Sequence, residues 1–243
     1  TPFDLNFRVF GIPVRVHPSF WLIMALFAWP ALDRLGVSFF FLHIGAIFLA
    51  LVVHELGHAL TFRFYHMRSS ILLYSFGGLA IPFGRLPLRS QRIITSLAGP
   101  FANFLFAGAL WLSNQIEPWR TTSLHAAYTY FVLFFINLWL GMLNLIPVYP
   151  LDGGQVSREI WLRFKPGMGV IYSLRMSLVI AMTFSAYAFG CHFDIIPESL
   201  LVDWLRPGLF AAILFIFLAV ENYMQLQNEM RRGSYWDDRE PWR

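Results

Sequence analysis

Two histidines and a glutamate interrupt the stretch LALVVHELGHALTF, residues 49–62, which is otherwise almost entirely apolar. His54 and His58 are four residues apart, so on an α-helix their side chains lie on one face and can bind one metal ion. Glu55 is adjacent and can accept a proton from water. Inserting an ionisable residue in an apolar span costs about 2.5–3.5 kcal/mol of free energy on insertion scales. Such a residue therefore indicates a functional site. The pattern therefore predicts a metal site that activates water, rather than polar residues that only link helices.

A catalytic zinc site typically has three protein ligands and leaves a fourth position for water. The best candidate for the third ligand is Asp152, in the stretch NLIPVYPLDGG at residues 144–154. Pro147 and Pro150 end a charge-free run, and the glycines after Asp152 free the backbone to turn back toward another element. Asp-Gly is also an ordinary turn sequence, and without further information the turn is the better explanation.

The composition indicates the environment of these residues. The chain has 243 residues, of which 57% are hydrophobic and only 13% charged, outside the usual balance of a soluble domain. Six runs are long enough, or nearly so, to cross a bilayer as a helix. Four are clear and two are weaker, the latter being residues 19–32 and 207–220; the clear runs are residues 35–53, 93–116, 126–151 and 167–190.

The basic residues predict how these spans are oriented. If all six runs cross, only Arg34, Arg120 and Arg206 fall on one side, Arg175 lies within a span, and every other Lys and Arg falls on the opposite side. By the positive-inside tendency, both termini are then cytoplasmic. The arginines flank spans and explain the net charge of +4, so the charge gives no reason to expect nucleic-acid binding.

Two stretches between the spans have the alternation of β-strands. They lie near residues 3–16 and 70–83, and Gly77 and Gly78 mark a bend or a close approach in the second. The predicted fold is thus an all-α polytopic membrane protein with about six transmembrane helices and short β-strands at the membrane surface. We expect one membrane-embedded domain over residues 1–225 and a polar, mobile cytoplasmic tail over residues 226–243.

The combination of HELGH with NLIPVYPLDGG resembles the site-2 protease family of intramembrane zinc metalloproteases. AGPFAN at residues 98–103 resembles that family's third-span motif, and FGIPVRVHPSF at residues 10–20 resembles its N-terminal sequence. The resemblance implies that His54, His58 and Asp152 bind one Zn²⁺ per chain and that Glu55 is the general base. It also implies that Asn144 lies near the metal, where its amide could stabilise an oxyanion.

The resemblance is to the compact six-span form without a PDZ or CBS domain, the group that includes the bacterial sporulation-factor protease. It implies hydrolysis of peptide bonds within or near transmembrane segments of membrane-protein substrates, in a prokaryotic plasma membrane. A substrate helix must unwind before it is cut, and its freed backbone groups then need partners. We expect residues 71–83, with Gly77 and Gly78, to supply them by strand pairing. The sequence predicts no oligomeric state.

Two other functions are compatible with parts of this pattern. Other membrane proteases with an H-E-x-x-H motif use a downstream glutamate as third ligand, but no later glutamate here lies in a matching helical motif. A non-proteolytic metal-binding scaffold or transporter would not need Glu55. For two further polar residues, we expect His43 to form a hydrogen bond between helices, whereas Asn103 could equally support the site or pack beside Gly99.

Overall fold

The computed structural model describes residues 3–75, 77–195 and 208–237. The chain divides into two compact units, Thr1–Leu145 and Ile146–Arg243, each of which is described by itself. The prediction of one domain ending at residue 225 stays a prediction. In the segment predicted as a tail, residues up to Asp237 continue the last helix, and residues 238–243 lie outside the described part.

The first unit contains a small sheet and most of the helices. Its strands are β1 (Leu5–Val9), β2 (Ile12–Val16), β3 (Ser69–Tyr74) and β4 (Gly77–Pro82), and its helices are α1 (Pro18–Leu35), α2 (Val37–Phe64), α3 (Arg89–Ile116), α4 (Trp119–Thr122) and α5 (Leu124–Asn144). The second unit contains α6 (Asp152–Phe164), α7 (Gly169–His192) and α8 (Leu209–Asp237).

Five helices of the described residues are long and apolar enough to cross a membrane: α2, α3, α5, α7 and the part of α8 up to Arg231. The sequence predicted six; the count by length and composition is five, and the run at residues 19–32 is not among them. The reason lies in α1 itself, which has only 18 residues and ends on Asp33, Arg34 and Leu35 after an internal Pro30. Two charges and a proline in so short a helix make it less apolar than the other five.

The four strands form one sheet in the order β1-β2-β3-β4, which confirms the predicted strands. β1 pairs with β2 and β3 with β4 antiparallel, whereas β2 and β3 are parallel. Alternate residues of β2 and β3 are buried, and they pack with Phe20 and Met24 of α1 and with Leu56 of α2. The sheet is thereby fixed against the helix that carries the two histidines.

Small residues bring α3 directly against the metal-binding motif of α2. A Cβ atom added at Gly57 would overlap the carbonyl group of Ala98 and lie 2.9 Å from Cβ of Ala102. The glycine inside HELGH is therefore required for this close approach. α5 packs on both helices, and Nδ1 of His43 on α2 lies 2.8 Å from the Tyr128 hydroxyl on α5. This contact confirms the predicted hydrogen bond between helices.

Candidate metal centre

The two histidines of α2 are buried and face a common point. His54 and His58 are 4% and 8% exposed, and Glu55 between them is 4% exposed. The Nε2 atoms of the two imidazoles lie 3.2 Å apart. One turn of helix therefore places both rings as the H-E-x-x-H spacing predicts.

His58 is held by the backbone of α3. Its Nδ1 atom lies 2.7 Å from the carbonyl oxygen of Thr95, which can only accept a hydrogen bond. Nδ1 of His58 must therefore carry a proton. In a neutral imidazole the other nitrogen then carries the lone pair, so Nε2 is the atom of His58 that can bind a metal.

His54 is held by two buried asparagines in series. Its Nδ1 atom lies 2.7 Å from Oδ1 of Asn103, whose amide nitrogen donates to the carbonyl of Ala50 at 3.0 Å and to Oδ1 of Asn137 at 2.7 Å. Asn137 in turn donates to the carbonyl of Leu133 at 2.8 Å. These acceptors fix which atom of Asn103 is the oxygen, so Nδ1 of His54 donates and its Nε2 also has a lone pair.

This arrangement fits a zinc ion. Both Nδ1 atoms are used as hydrogen-bond donors and the two Nε2 atoms lie 3.2 Å apart, so one cation can bind to both Nε2 atoms. Two nitrogens bound tetrahedrally at about 2.0–2.1 Å from zinc would be about 3.3 Å apart. The space is kept open by Gly99, where an added Cβ would lie 2.8 Å from Nε2 of His54 and closer still to His58.

Glu55 lies against the sheet. A Cβ added at Gly78 would overlap the Glu55 carboxyl group, so β4 approaches this side chain as closely as a backbone without a side chain allows. Gly77, the residue before it, has φ +122°, a conformation that other residues rarely adopt. Of the bend or close approach predicted for this pair, Gly77 provides the bend and Gly78 the close approach.

Asp152 is the first residue of α6 in the second unit and is 7% exposed. A negative charge in the first turn interacts favourably with the helix dipole. A Cβ at Gly154 would overlap the backbone of Val148 and Tyr149, so this glycine lets the preceding loop fold against the start of the helix. Gly154 is thus explained by packing beside the aspartate as well as by a turn.

Two polar side chains from later helices hold that loop. The amide of Tyr149 donates to the hydroxyl of Ser177 on α7 at 3.1 Å. The side-chain amide of Asn222 on α8 donates to the carbonyl of Tyr149 at 2.5 Å. The backbone that leads into Asp152 is therefore anchored to α7 and α8.

Asn144, the other predicted catalytic residue, is the last residue of α5 and is half-buried. Its amide nitrogen donates to the carbonyl of Leu140, one turn back, at 2.9 Å. This contact occupies one of its two N–H groups and leaves its oxygen available. Its predicted role in stabilising an oxyanion stays a prediction.

The supporting residues were mostly missed by sequence reasoning. Asn137 and Asn222 are fully buried, and an amide in an apolar helix carries a desolvation cost that marks it as bonded. That signal was available and could have identified both. The carbonyl of Thr95 gave no signal, because any residue at that position presents the same group.

Comparisons with known proteins agree with the sequence motifs. The model of peptidase family M50 matches residues 42–117 and 112–184. A zinc metalloprotease of Methanocaldococcus jannaschii is 31% identical over 155 residues, which are 63% of this chain and 44% of the relative. Stage IV sporulation protein FB of Bacillus subtilis is 27% identical over 223 residues, 88% of this chain and 67% of that protein. The chain thus spans less than half of the first relative's length.

A solved structure has the same fold. The site-2 protease from Methanocaldococcus jannaschii superposes with a TM-score of 0.62 over 91% of this chain and 94% of that one, at 23% sequence identity. The five apolar helices and these matches show that the chain is an integral membrane protein with prokaryotic relatives. The chain belongs to peptidase family M50, the family of the site-2 proteases.

Proposed function

We propose that this chain is an intramembrane zinc metalloprotease that hydrolyses peptide bonds within or near transmembrane segments of membrane proteins. The observation that carries the proposal is that the buried Nε2 atoms of His54 and His58 lie 3.2 Å apart and that Glu55, on the same helix, supplies a buried carboxylate. A metal scaffold or transporter has no need for that carboxylate. The names of the relatives, which are zinc metalloproteases, support the same chemistry.

His54, His58 and Asp152 are the proposed ligands of one Zn²⁺. When bound, zinc supplies water of lowered pKa and polarises the scissile carbonyl group. The assignment of Asp152 rests on its motif, its burial and the anchored loop before it. A buried carboxylate is normally paired or bound to a metal, which agrees with a ligand role.

Glu55 is the proposed general base. Its carboxylate takes a proton from the attacking water and gives it to the leaving amine, so the group must be ionised at the start of each turnover. Contact with Gly78 limits the rotamers that the Glu55 side chain can adopt. Asn144 is the proposed donor to the developing oxyanion, through the N–H that Leu140 does not use.

An unwound substrate is proposed to pair with β4. β3 is an interior strand with partners on both sides, so only β4 of the segment 71–83 has an unpaired edge. The amide of Phe83 donates to Arg68, and the alternation of antiparallel pairs then points the amides of Gly78 and Ala80 away from β3. These two amides are the donors available to a substrate backbone.

Strand pairing is tested at Ala80. Ala80→Pro removes one outward donor, whereas Ala80→Val keeps it and adds a side chain. Cleavage of a stable transmembrane helix should fall for the proline variant only, and less for a substrate with helix-breaking residues at the cut site, while zinc content stays unchanged. If Ala80→Pro cleaved both substrates as the parent does, β4 would have no part in binding.

The central experiment combines zinc stoichiometry with cleavage of a model transmembrane peptide. Glu55→Gln should keep zinc and lose turnover, because the amide retains the shape but accepts no proton. Alanine at His54, His58 or Asp152 should lose both. A parent protein that binds zinc but never cleaves would favour the scaffold, and full zinc and activity in Asp152→Ala would remove the third ligand from the assignment.

Both termini are proposed to be cytoplasmic, which requires α1 to cross despite its charged end. Its 18 residues give about 27 Å at 1.5 Å per residue, close to the thickness of a hydrocarbon core of about 30 Å. Cys191 is the only cysteine, so Cys191→Ser provides a background for single cysteines at Asn6 and Arg34. An impermeant thiol reagent should label them from opposite sides; labelling from one side would mean that α1 does not cross.

A further inference from the structure

A basic pocket lies where α2 ends on the sheet. It has a volume of about 690 Å³, and four of its lining residues are Arg8 of β1, Arg63 in the last turn of α2, and His66 and Arg68 between α2 and β3. None of its lining residues is acidic. This pocket is separate from the histidine pair and has no place in the proposed proteolytic chemistry.

The charges in this pocket are not neutralised by the described residues of the protein. The ion pair on this sheet joins Arg15 to Asp4, and none joins Arg8, Arg63 or Arg68 to a carboxylate. Arg63 is held in position because its guanidinium donates to the carbonyl of Phe10 at 2.7 Å. Guanidinium groups that line one pocket without a carboxylate form a site for an anion, and their paired N–H groups match a phosphate best.

Exposed phenylalanines indicate where that anion is found. Phe83 lines the pocket and is 69% exposed, Phe10 carries the carbonyl that binds Arg63 and is 70% exposed, and Phe64 next to Arg63 is 75% exposed. Large apolar side chains beside arginines at the end of an apolar span are typical of the membrane interface. The pocket therefore lies at the depth of lipid headgroups, with apolar side chains available to acyl chains.

From these observations we propose that the pocket binds the phosphate group of an anionic phospholipid. Inorganic phosphate has the same chemistry but makes no use of the three exposed phenylalanines, so the lipid is the favoured source. A bound phosphate would connect β1, the end of α2 and the start of β3. Arg8 lies in β1, Arg63 in the last turn of α2, and Arg68 immediately before β3. A bound lipid should thus hold the sheet on the helix that carries His54 and His58.

The test uses the full chain in phosphatidylcholine nanodiscs titrated with phosphatidylglycerol, with retained lipid counted by native mass spectrometry. One phosphatidylglycerol should be retained by the parent. A basic residue near an anionic headgroup contributes about fivefold to the affinity for the lipid. Arg8→Gln and Arg68→Gln should therefore each weaken phosphatidylglycerol retention about fivefold, and the double variant about twenty-five-fold. Arg158→Gln is the matched control: it removes an exposed charge on the same predicted side of the membrane, and retention should match the parent.

Three outcomes would overturn the assignment. The double variant could retain the lipid as the parent does, or the parent could show no preference for phosphatidylglycerol over phosphatidylcholine. Inorganic phosphate added to phosphatidylcholine nanodiscs could displace phosphatidylglycerol at equal concentration, which would make free phosphate the ligand. Zinc content equal to that of the parent shows that each variant is folded, so a loss of retention then reports the pocket alone.

Discussion

The surroundings of His54 and His58 differ although the two residues occupy the same face of one helix. His58 is oriented by a backbone carbonyl, that of Thr95, and His54 by a chain of two side-chain amides, Asn103 and Asn137. A backbone acceptor persists through any substitution that leaves the helix intact, whereas a side-chain acceptor is lost with one residue. The comparison teaches that two equivalent ligands can differ in how easily mutation disturbs them.

The largest effect should come from Gly99→Ala, because the added methyl group affects both histidines at once. The difference between the contacts that orient the two rings then has no influence. The new methyl group would overlap His58 and come within 2.8 Å of Nε2 of His54, in the space between the lone pairs. Zinc content should fall to near zero, and with it cleavage. Metal analysis of the purified protein measures this.

Gly108→Ala is the control for that substitution. It lies on the same helix, and a Cβ there meets nothing within 4 Å. It makes the same change in helix propensity, so it should keep full zinc and activity. Equal zinc in both variants would show that the space beside Gly99 is not the metal position.

Asn103→Leu should have the next largest effect, because it removes the acceptor of His54 and leaves the side-chain oxygen of Asn137 without its donor. Loss of such a supporting hydrogen bond typically weakens metal binding about 10–100-fold. A buried polar group left unsatisfied also costs about 1–3 kcal/mol of stability. Competition with a zinc chelator measures the first, and thermal unfolding the second.

Asn103→Asp separates the two contributions. It retains an oxygen for Nδ1 of His54 but cannot donate to Ala50 or Asn137. Zinc affinity should therefore recover more than thermal stability does. If the leucine variant bound zinc as tightly as the parent, Asn103 would only pack between helices, the other explanation that the sequence left open.

Asn137→Leu should have a smaller effect, because Asn137 acts on His54 only through Asn103. Asn103 keeps its bond to the carbonyl of Ala50, so it should stay oriented and zinc affinity should fall by about tenfold or less. Asn137→Asp keeps the acceptor for Asn103 and should restore the affinity. Failure of the aspartate to improve on leucine would mean that this residue matters for packing alone.

The site was predictable from sequence where side chains of a distinctive type recur at fixed spacing. His54, Glu55 and His58 satisfy this condition, and so do the strands, whose alternation reflects one buried face. Asn103 was visible but ambiguous, because one buried amide is compatible with both packing and support. The span at residues 19–32 was overestimated because the count of its apolar residues ignored Asp33 and Arg34, which the helix includes.

Thr95→Val should have the smallest effect and tests the other side of the comparison. The contact with His58 uses the carbonyl oxygen, which valine also presents, so zinc affinity should stay within about twofold of the parent. The buried hydroxyl of Thr95 has no hydrogen-bond partner in the described part of the chain. Its removal should therefore leave thermal stability unchanged or raise it. A loss of zinc as large as that of Asn103→Leu would show that His58 depends on the side chain of Thr95, and the distinction between backbone and side-chain support would fail.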